Sequence, residues 1–349
     1  MTLTSFPRLA FMCFAVFAIH NRPVQGQQQL LELNKGDHIA VIGNTLADRM
    51  QHSGFLEAQL HRRFPEHNLV VRDLGFSGDT ITERPRSENF GSPDQWLSKV
   101  KADVVIAFFG YNESYAGEAG LPQFRKDLEE YIDHTLSQEY NGKSAPKFVL
   151  CSPTAFEDLK WPHLPDGKDR NQRLQLYTTA MSEVAKAKSI QFVDLFAMFS
   201  EQPTAVNWDG SAIRNLEGQR RDRFGEDVYP DRPSDIRQFK RLAWTINGVH
   251  LNDVGNSFVA RSVAESLGPQ RSVAADADPI FWLIHPVREA VLAKNRIWHN
   301  IYRATDGYSV FGGRSTLQFV DGQTNFDVMQ RELEILEVCL LYTSDAADE

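Results

Sequence analysis

Between Lys35 and about Leu267, short apolar runs rich in β-branched residues alternate with longer amphipathic segments. The runs are His38 to Gly43, Leu69 to Leu74, Asp103 to Gly110, Lys147 to Ser152 and Ile190 to Leu195. A near-continuous apolar run has no polar face to turn to water, so each predicts a strand buried on both sides. Strands of that kind separated by helical patterns predict a parallel sheet with helices on both faces. The intervening segments carry apolar stripes at helical spacing: Leu56, Leu60 and Phe64, then Phe124, Leu128, Tyr131, Ile132 and Leu136, then Leu174, Tyr177, Met181 and Val184. These residues are read as core. The expected fold is a three-layer α/β domain over residues 35–267.

From Ser200 to Arg241 the pattern dissolves into Gly, Pro, Asp and Arg, including the run Gln219-Arg220-Arg221-Asp222-Arg223. A basic run invites a polyanion reading, but acidic residues are interleaved with it, and a solvated surface insertion is the expectation. Beyond Ala274 come Phe281, Trp282 and Ile284, a helical stretch from Val287 to Tyr302, Phe311-Gly312-Gly313-Arg314, and a helical pattern through Met329, Leu333 and Leu336. This region, 275–338, is expected to be a helical C-terminal appendage packed on the main domain.

Both ends read differently from the middle. Arg8, the apolar run Leu9 to Ile19, and Val24 and Gly26 as small residues before Gln27 form the pattern of a secretory signal peptide over 1–26. The mature protein is therefore expected to be exported, periplasmic or extracellular, with no membrane span. Residues 339–349 resemble translated sequencing adapter, so the natural chain is expected to continue past about Val338; the alternative is a frayed acidic C-terminus.

Charge narrows the partners. The 349 residues hold 37 Lys plus Arg against 46 Asp plus Glu, a net charge of −9, which argues against binding the phosphate backbone of nucleic acid. Three cysteines, Cys13, Cys151 and Cys339, are too few and too scattered for a disulfide framework or a Cys-based zinc site, and Cys151 is expected to be an inert core thiol. The sequence holds no phosphate-binding loop, GxGxxG, HExxH or C-x-x-C-H, and no pair of the ten histidines has persuasive metal spacing. No metal and no cofactor are expected.

In open α/β sheets, ligands bind outside the carboxyl ends of the strands, and four polar clusters fall there. They are Gly43-Asn44-Thr45-Leu46-Ala47-Asp48, Gly75-Phe76-Ser77-Gly78-Asp79-Thr80, Gly110-Tyr111-Asn112-Glu113-Ser114, and Thr245-Ile246-Asn247-Gly248-Val249-His250-Leu251-Asn252. Each has a bland reading. Thr45 fits a helix N-cap, Gly75 and Gly78 fit turn glycines with positive φ, Asn112 fits an Asx-turn, and His250 fits a core or capping histidine. Together they fit acyl transfer, which needs a hydroxyl nucleophile, an imidazole base, a group orienting the imidazole, and N–H donors for the oxyanion. Thr45, His250, Asn247, and Gly78 with Asn112 could fill those roles in that order.

The four clusters, in this order and these strand contexts, resemble the blocks of the SGNH or GDSL-type hydrolases over about Lys35 to Leu267, and their wording is similar to exported GDSL-like proteins of planctomycete-type bacteria. The resemblance implies a flavodoxin-like three-layer fold, Gly78 and Asn112 as the oxyanion hole, and His250 as the base. Two departures stand out. Thr45 replaces the family's serine, adding a methyl that restricts χ1 and crowds an approaching acyl carbon. Asn247 replaces its aspartate, and an amide stabilises imidazolium poorly. Asn44, in place of the aspartate beside the nucleophile, is milder. A substitute carboxylate could come from Asp79, Glu113 or Asp253. The expected function is a secreted ester hydrolase, possibly a carbohydrate deacetylase, acting on a small-molecule or polysaccharide ester. The alternatives are a catalytically degraded SGNH domain that binds a glycan or acylated ligand, and an interaction protein whose main surface is the appendage. Phe76, Tyr111, Tyr115 and Trp161 suit sugar stacking and core packing equally.

Overall fold

The structure, a computed structural model, describes residues 31–201, 243–268, 285–304 and 307–345. The expected signal-peptide segment, all but the first two residues of the expected insertion, and Phe281, Trp282 and Ile284 lie outside the described residues. The order is β1 (His38–Gly43), α1 (Thr45–Ser53), α2 (Phe55–Arg63), β2 (Val70–Asp73), α3 (Pro93–Lys99), β3 (Val104–Phe108), α4 (Leu121–Leu136), β4 (Lys147–Cys151), α5 (Lys168–Ala187), β5 (Gln191–Val193) and α6 (Leu195–Glu201). Then come α7 (Asp253–Glu265), α8 (Pro286–Arg303), α9 (Gly307–Val310) and α10 (Asn325–Asp345).

Among the described residues the sheet has five strands, all parallel, in the order β2-β1-β3-β4-β5. Each of the five apolar runs became a strand, shorter than its run by up to three residues. The side-chain alternation of a strand divides the core in two. Ala40, Ile42, Val105, Ala107, Phe148 and Leu150 face one layer with α3, α4 and α5, and Ile39, Val41, Val104, Ile106, Phe108 and Val149 face the other with α1, α2 and α7. The predicted stripes are core: Leu56, Leu60, Phe124, Leu128, Ile132, Leu174, Tyr177, Met181 and Val184 are buried. Each such side chain contributes about 1.5–3 kcal/mol by leaving water. Cys151 is buried on β4, and burial raises its thiol well above the usual range, leaving it unreactive.

The expected C-terminal helices are α8 and α10, which pack on each other, and α8 also lies on α1, α2 and β2. Its placement answers a problem of the sheet. β2 is an edge strand, and the N–H groups of Val70 and Leu74 donate toward β1 and the residue before it, to Asp37 and Val41. Val71 and Asp73 therefore turn their carbonyls to the open side. On α8, Lys294 Nζ donates to the Val71 carbonyl at 3.0 Å, Trp298 Nε1 to that of Asp73 at 2.6 Å, and Tyr302 Oη to that of Leu74 at 3.0 Å. Lys294 and Trp298, four residues apart on the helix, rise about 6 Å, close to the roughly 6.6 Å between the alternate carbonyls of Val71 and Asp73. Side chains thus stand in for a neighbouring strand and cover the edge. Lys294 is buried and also pairs with buried Glu57 at 2.5 Å. Burial works against the Glu57 carboxylate, but Lys294 and His61 outweigh it and hold it at about 2.

Candidate active site

The helix that begins after β1 carries Thr45. Its N-cap is Asn44, whose side-chain oxygen accepts from the Leu46 N–H at 3.1 Å. The cap role expected of Thr45 therefore falls one residue earlier, and Thr45 occupies the first helical position, half-buried. That position leaves its own N–H without an intrahelical acceptor. So the hydroxyl released from capping sits beside a backbone donor at the carboxyl end of β1.

The second cluster forms a tight turn, Phe76 to Asp79, closed by the Asp79 N–H donating to the Phe76 carbonyl at 3.1 Å. Gly78 takes φ of +92° at its third position, the conformation of a type II turn, and a Cβ there would meet nothing within 4 Å. Gly75 needs no positive φ, contrary to expectation. It is glycine because a Cβ would come within 2.5 Å of the Asp48 amide and 2.8 Å of Ala47, so α1 could not approach the end of β2 as closely.

Asn112 follows β3 and reaches across to this turn, its Nδ2 donating to the Asp79 carbonyl at 3.0 Å. One amide hydrogen is used in this way and the other remains for a ligand. The structure thus brings Gly78 and Asn112 together. Arg86 holds the same turn from outside by pairing with Asp79 through both oxygens at 2.9 and 2.8 Å. Phe76 is gripped between two guanidinium groups, Arg86 at 3.7 Å from the ring centre and Arg303 of α8 at 3.2 Å. Arg303 also pairs with Asp48 at 3.0 Å, and Asp48 accepts from the Ser77 hydroxyl. Phe76 is therefore part of the turn's support. A cavity of about 280 Å³ opens behind the turn, lined by Ile42, Leu74, Arg86, Trp96 and Tyr302 among others. Thr45, Asn112 and His250 are not in its walls, but Gly43 at the end of β1 and Asp79 of the turn are.

His250 and Asn247 lie in the turn before α7. The Asn247 Oδ1 accepts from the backbone N–H of His250 at 2.9 Å and of Val249 at 3.2 Å. Those two donors fix which way the amide points and leave Nδ2 facing the imidazole Nδ1 at 2.9 Å. Oδ1 also lies 3.2 Å from Nδ1. In the 2.9 Å contact Nδ1 accepts and the ring proton sits on Nε2; in the 3.2 Å contact Nδ1–H donates to Oδ1 and Nε2 is left to accept. Burial, with Arg49 adding to it, holds the imidazole below the usual histidine range, so it is neutral at pH 7. Arg49, one turn after Thr45 on α1, is the charged group that adds to this shift.

The substitute carboxylates do not serve. Asp79 is taken by Arg86, and Glu113 accepts from the backbone N–H of Ile81 at 3.0 Å and of Gly110 at 2.9 Å. Asp253 is in the first turn of α7, and among the described residues no carboxylate hydrogen-bonds His250. Sequence reasoning missed Arg86, Arg303 and, above all, Glu157, whose carboxylate accepts from Trp244 and Thr245 beside the His250 turn. Its partners lie 87 and 88 residues away along the chain, so no local spacing could have signalled it.

The GDSL-like Lipase/Acylhydrolase family matches residues 36–258, well over half the chain. The chain belongs to that family. It is thereby a member of a group of ester-bond hydrolases, and its α/β fold with added C-terminal helices agrees with the SGNH fold that the sequence implied. Among solved structures it is similar to a gut microbial diltiazem-metabolizing enzyme at 15% identity and TM-score 0.45, covering 68% of this chain and 48% of that one. It is also similar to an acetyl xylan esterase at 17% identity and TM-score 0.41, covering 66% of this chain and 100% of that one. A carbohydrate acetylesterase from Sinorhizobium meliloti shows 12% identity and TM-score 0.39, covering 66% and 97%. No curated protein matches the chain.

Proposed function

We propose that this GDSL-family chain is an exported hydrolase of acyl esters on carbohydrates. Thr45 Oγ1 attacks the acyl carbonyl carbon while His250, in the tautomer whose Nδ1–H donates to Asn247 Oδ1, takes the hydroxyl proton at Nε2 and returns it to the leaving alcohol. A water that gives its proton to His250 then releases the acid from Thr45, and Asn247 orients His250. The Gly78 N–H and the second Asn112 Nδ2 hydrogen receive the developing oxyanion. The observation that carries this reading is the Asn112-to-Asp79 hydrogen bond. It holds the side chain of one donor against the turn that presents the other, an arrangement an ordinary Asx-turn does not require. Tyr115, three residues after Asn112, stays 63% exposed with the Arg170 guanidinium 3.6 Å from its ring centre, and an exposed aromatic ring there supports a sugar as the alcohol, because it suits stacking on a pyranose ring.

One observation favours a second reading. With its proton on Nε2, as the shorter 2.9 Å contact has it, His250 donates where a base must accept, alongside the Gly78 and Asn112 donors. Such a site holds an acylated ligand or glycan without cleaving it. The two readings separate on protein lacking residues 1–26, assayed on p-nitrophenyl acetate and acetylated xylan beside Thr45→Ala and His250→Ala. Hydrolysis lost in both variants supports the enzyme; hydrolysis absent from the parent, with retained binding of acetylated xylan, supports the ligand-binding reading.

A further inference from the structure

The turn that carries Asn247 and His250 is hydrogen-bonded to one buried carboxylate, that of Glu157. Glu157 Oε2 accepts from the backbone N–H of Trp244 at 2.9 Å, the N–H of Thr245 at 2.8 Å and the Thr245 hydroxyl at 2.8 Å, with Oε1 3.1 Å from the Trp244 nitrogen. The Thr245 hydroxyl in turn accepts from the Gly248 N–H at 2.9 Å, and the Gly248 carbonyl accepts from the Glu157 N–H at 2.8 Å. A closed circuit therefore runs from Glu157 through Thr245 and Gly248 back to Glu157, enclosing the residue after Asn247. The Ile246 N–H donates to the His250 carbonyl at 2.8 Å and draws His250 into the same unit.

The other end of the attachment is equally fixed. Phe156, next to Glu157, is bound to Asn171 near the start of α5 at both its N–H and its carbonyl, at 2.7 and 2.9 Å. Glu157 is buried, so donors left without it would be shut away from water, each at a cost of about 1–3 kcal/mol. That cost opposes any drift of the turn.

We infer that Glu157 is a positioning residue, which sets His250 against the sheet by binding the Trp244–Gly248 backbone. It reaches no reacting atom. The inference rests on His250 being the functional imidazole, but its test needs no substrate, so an inactive chain would leave it intact.

The probe is diethylpyrocarbonate, which acylates neutral imidazole; its rate at His250 is read by peptide mass spectrometry, with His134 on α4 as internal reference. Glu157→Leu keeps the bulk and removes the acceptors. It is expected to raise the His250 rate about threefold or more as the turn opens locally, with His134 unchanged. Glu157→Gln, whose amide oxygen can take the Oε2 place, should stay within about twofold of the parent. Thr245→Val removes only the hydroxyl link and is expected to fall between them. A His250 rate unchanged in folded Glu157→Leu overturns the inference. If that variant does not fold, an unchanged rate in Thr245→Val overturns it instead. A rise of equal size at His134 overturns it too, because the effect would then be global.

Discussion

Asn247 presents its amide N–H to His250 Nδ1 at 2.9 Å, and the two backbone donors on Asn247 Oδ1 prevent the amide from turning over. An aspartate in the same place would keep both backbone contacts on one oxygen and offer the other to an Nδ1–H, leaving Nε2 free to accept a proton. Asn247→Asp is therefore expected to raise ester hydrolysis. In the serine-protease triad the opposite change costs about 10⁴ in kcat, so a gain of tenfold or more on p-nitrophenyl acetate is the expected outcome. A folded Asn247→Asp variant no faster than the parent contradicts the tautomer argument.

Thr45 is at the first position of α1, with its methyl on the carbon that carries the nucleophile. Thr45→Ala should abolish hydrolysis above background. Thr45→Ser removes the crowding and the χ1 restriction and should raise kcat more than it changes KM. Measured kcat and KM for the three proteins decide the point, and equal rates for Ala and Thr would exclude Thr45 as nucleophile.

Stability should fall in mild acid. His52 on α1 and His299 on α8 meet edge to face at 4.9 Å, and burial holds both imidazoles below their usual range, with Arg303 also opposing charge on each. The unfolded chain takes up these protons near pH 6.5 while the folded chain refuses them until a lower pH. Their contribution is therefore intact above about pH 6.5 and is lost progressively as pH falls toward the depressed folded values. Urea midpoints at pH 7.5 and 5.5 test this. His52→Gln with His299→Gln should shrink the difference, and a double variant with the parent's full acid loss would count against the pair.

Lys294→Met leaves the Glu57 carboxylate buried without its partner and the Val71 carbonyl without its donor. Breaking a buried pair in this way costs about 3–5 kcal/mol. A matching drop in the urea midpoint with an unchanged denaturant slope is the expected result; a loss under about 1 kcal/mol would mean that water reaches the pair.

The parallel sheet was legible because strands buried on both faces must be apolar throughout, and runs such as Asp103 to Gly110 and Lys147 to Ser152 admit little else. Gly78 and Asn112 were legible as a pair because each follows a strand of that sheet. Three things were not. Whether Thr45 or Asn44 caps α1 turns on a single residue of register, and both can cap. The amide direction of Asn247 depends on backbone donors that exist only once the turn is folded. Arg303 and Glu157 act on segments more than 80 residues distant along the chain, where no spacing rule reaches.

The hold of Arg303 on Phe76 and Asp48 gives α8 a second consequence, separate from covering the sheet edge. A guanidinium anchored at the last residue of a helix is displaced by anything that shifts that helix along its axis, and Phe76 begins the turn that presents Gly78. The C-terminal region is thus a lever whose short arm ends at the Phe76–Asp79 turn. Small displacements of α8 would change the geometry of that turn long before they unfolded the sheet.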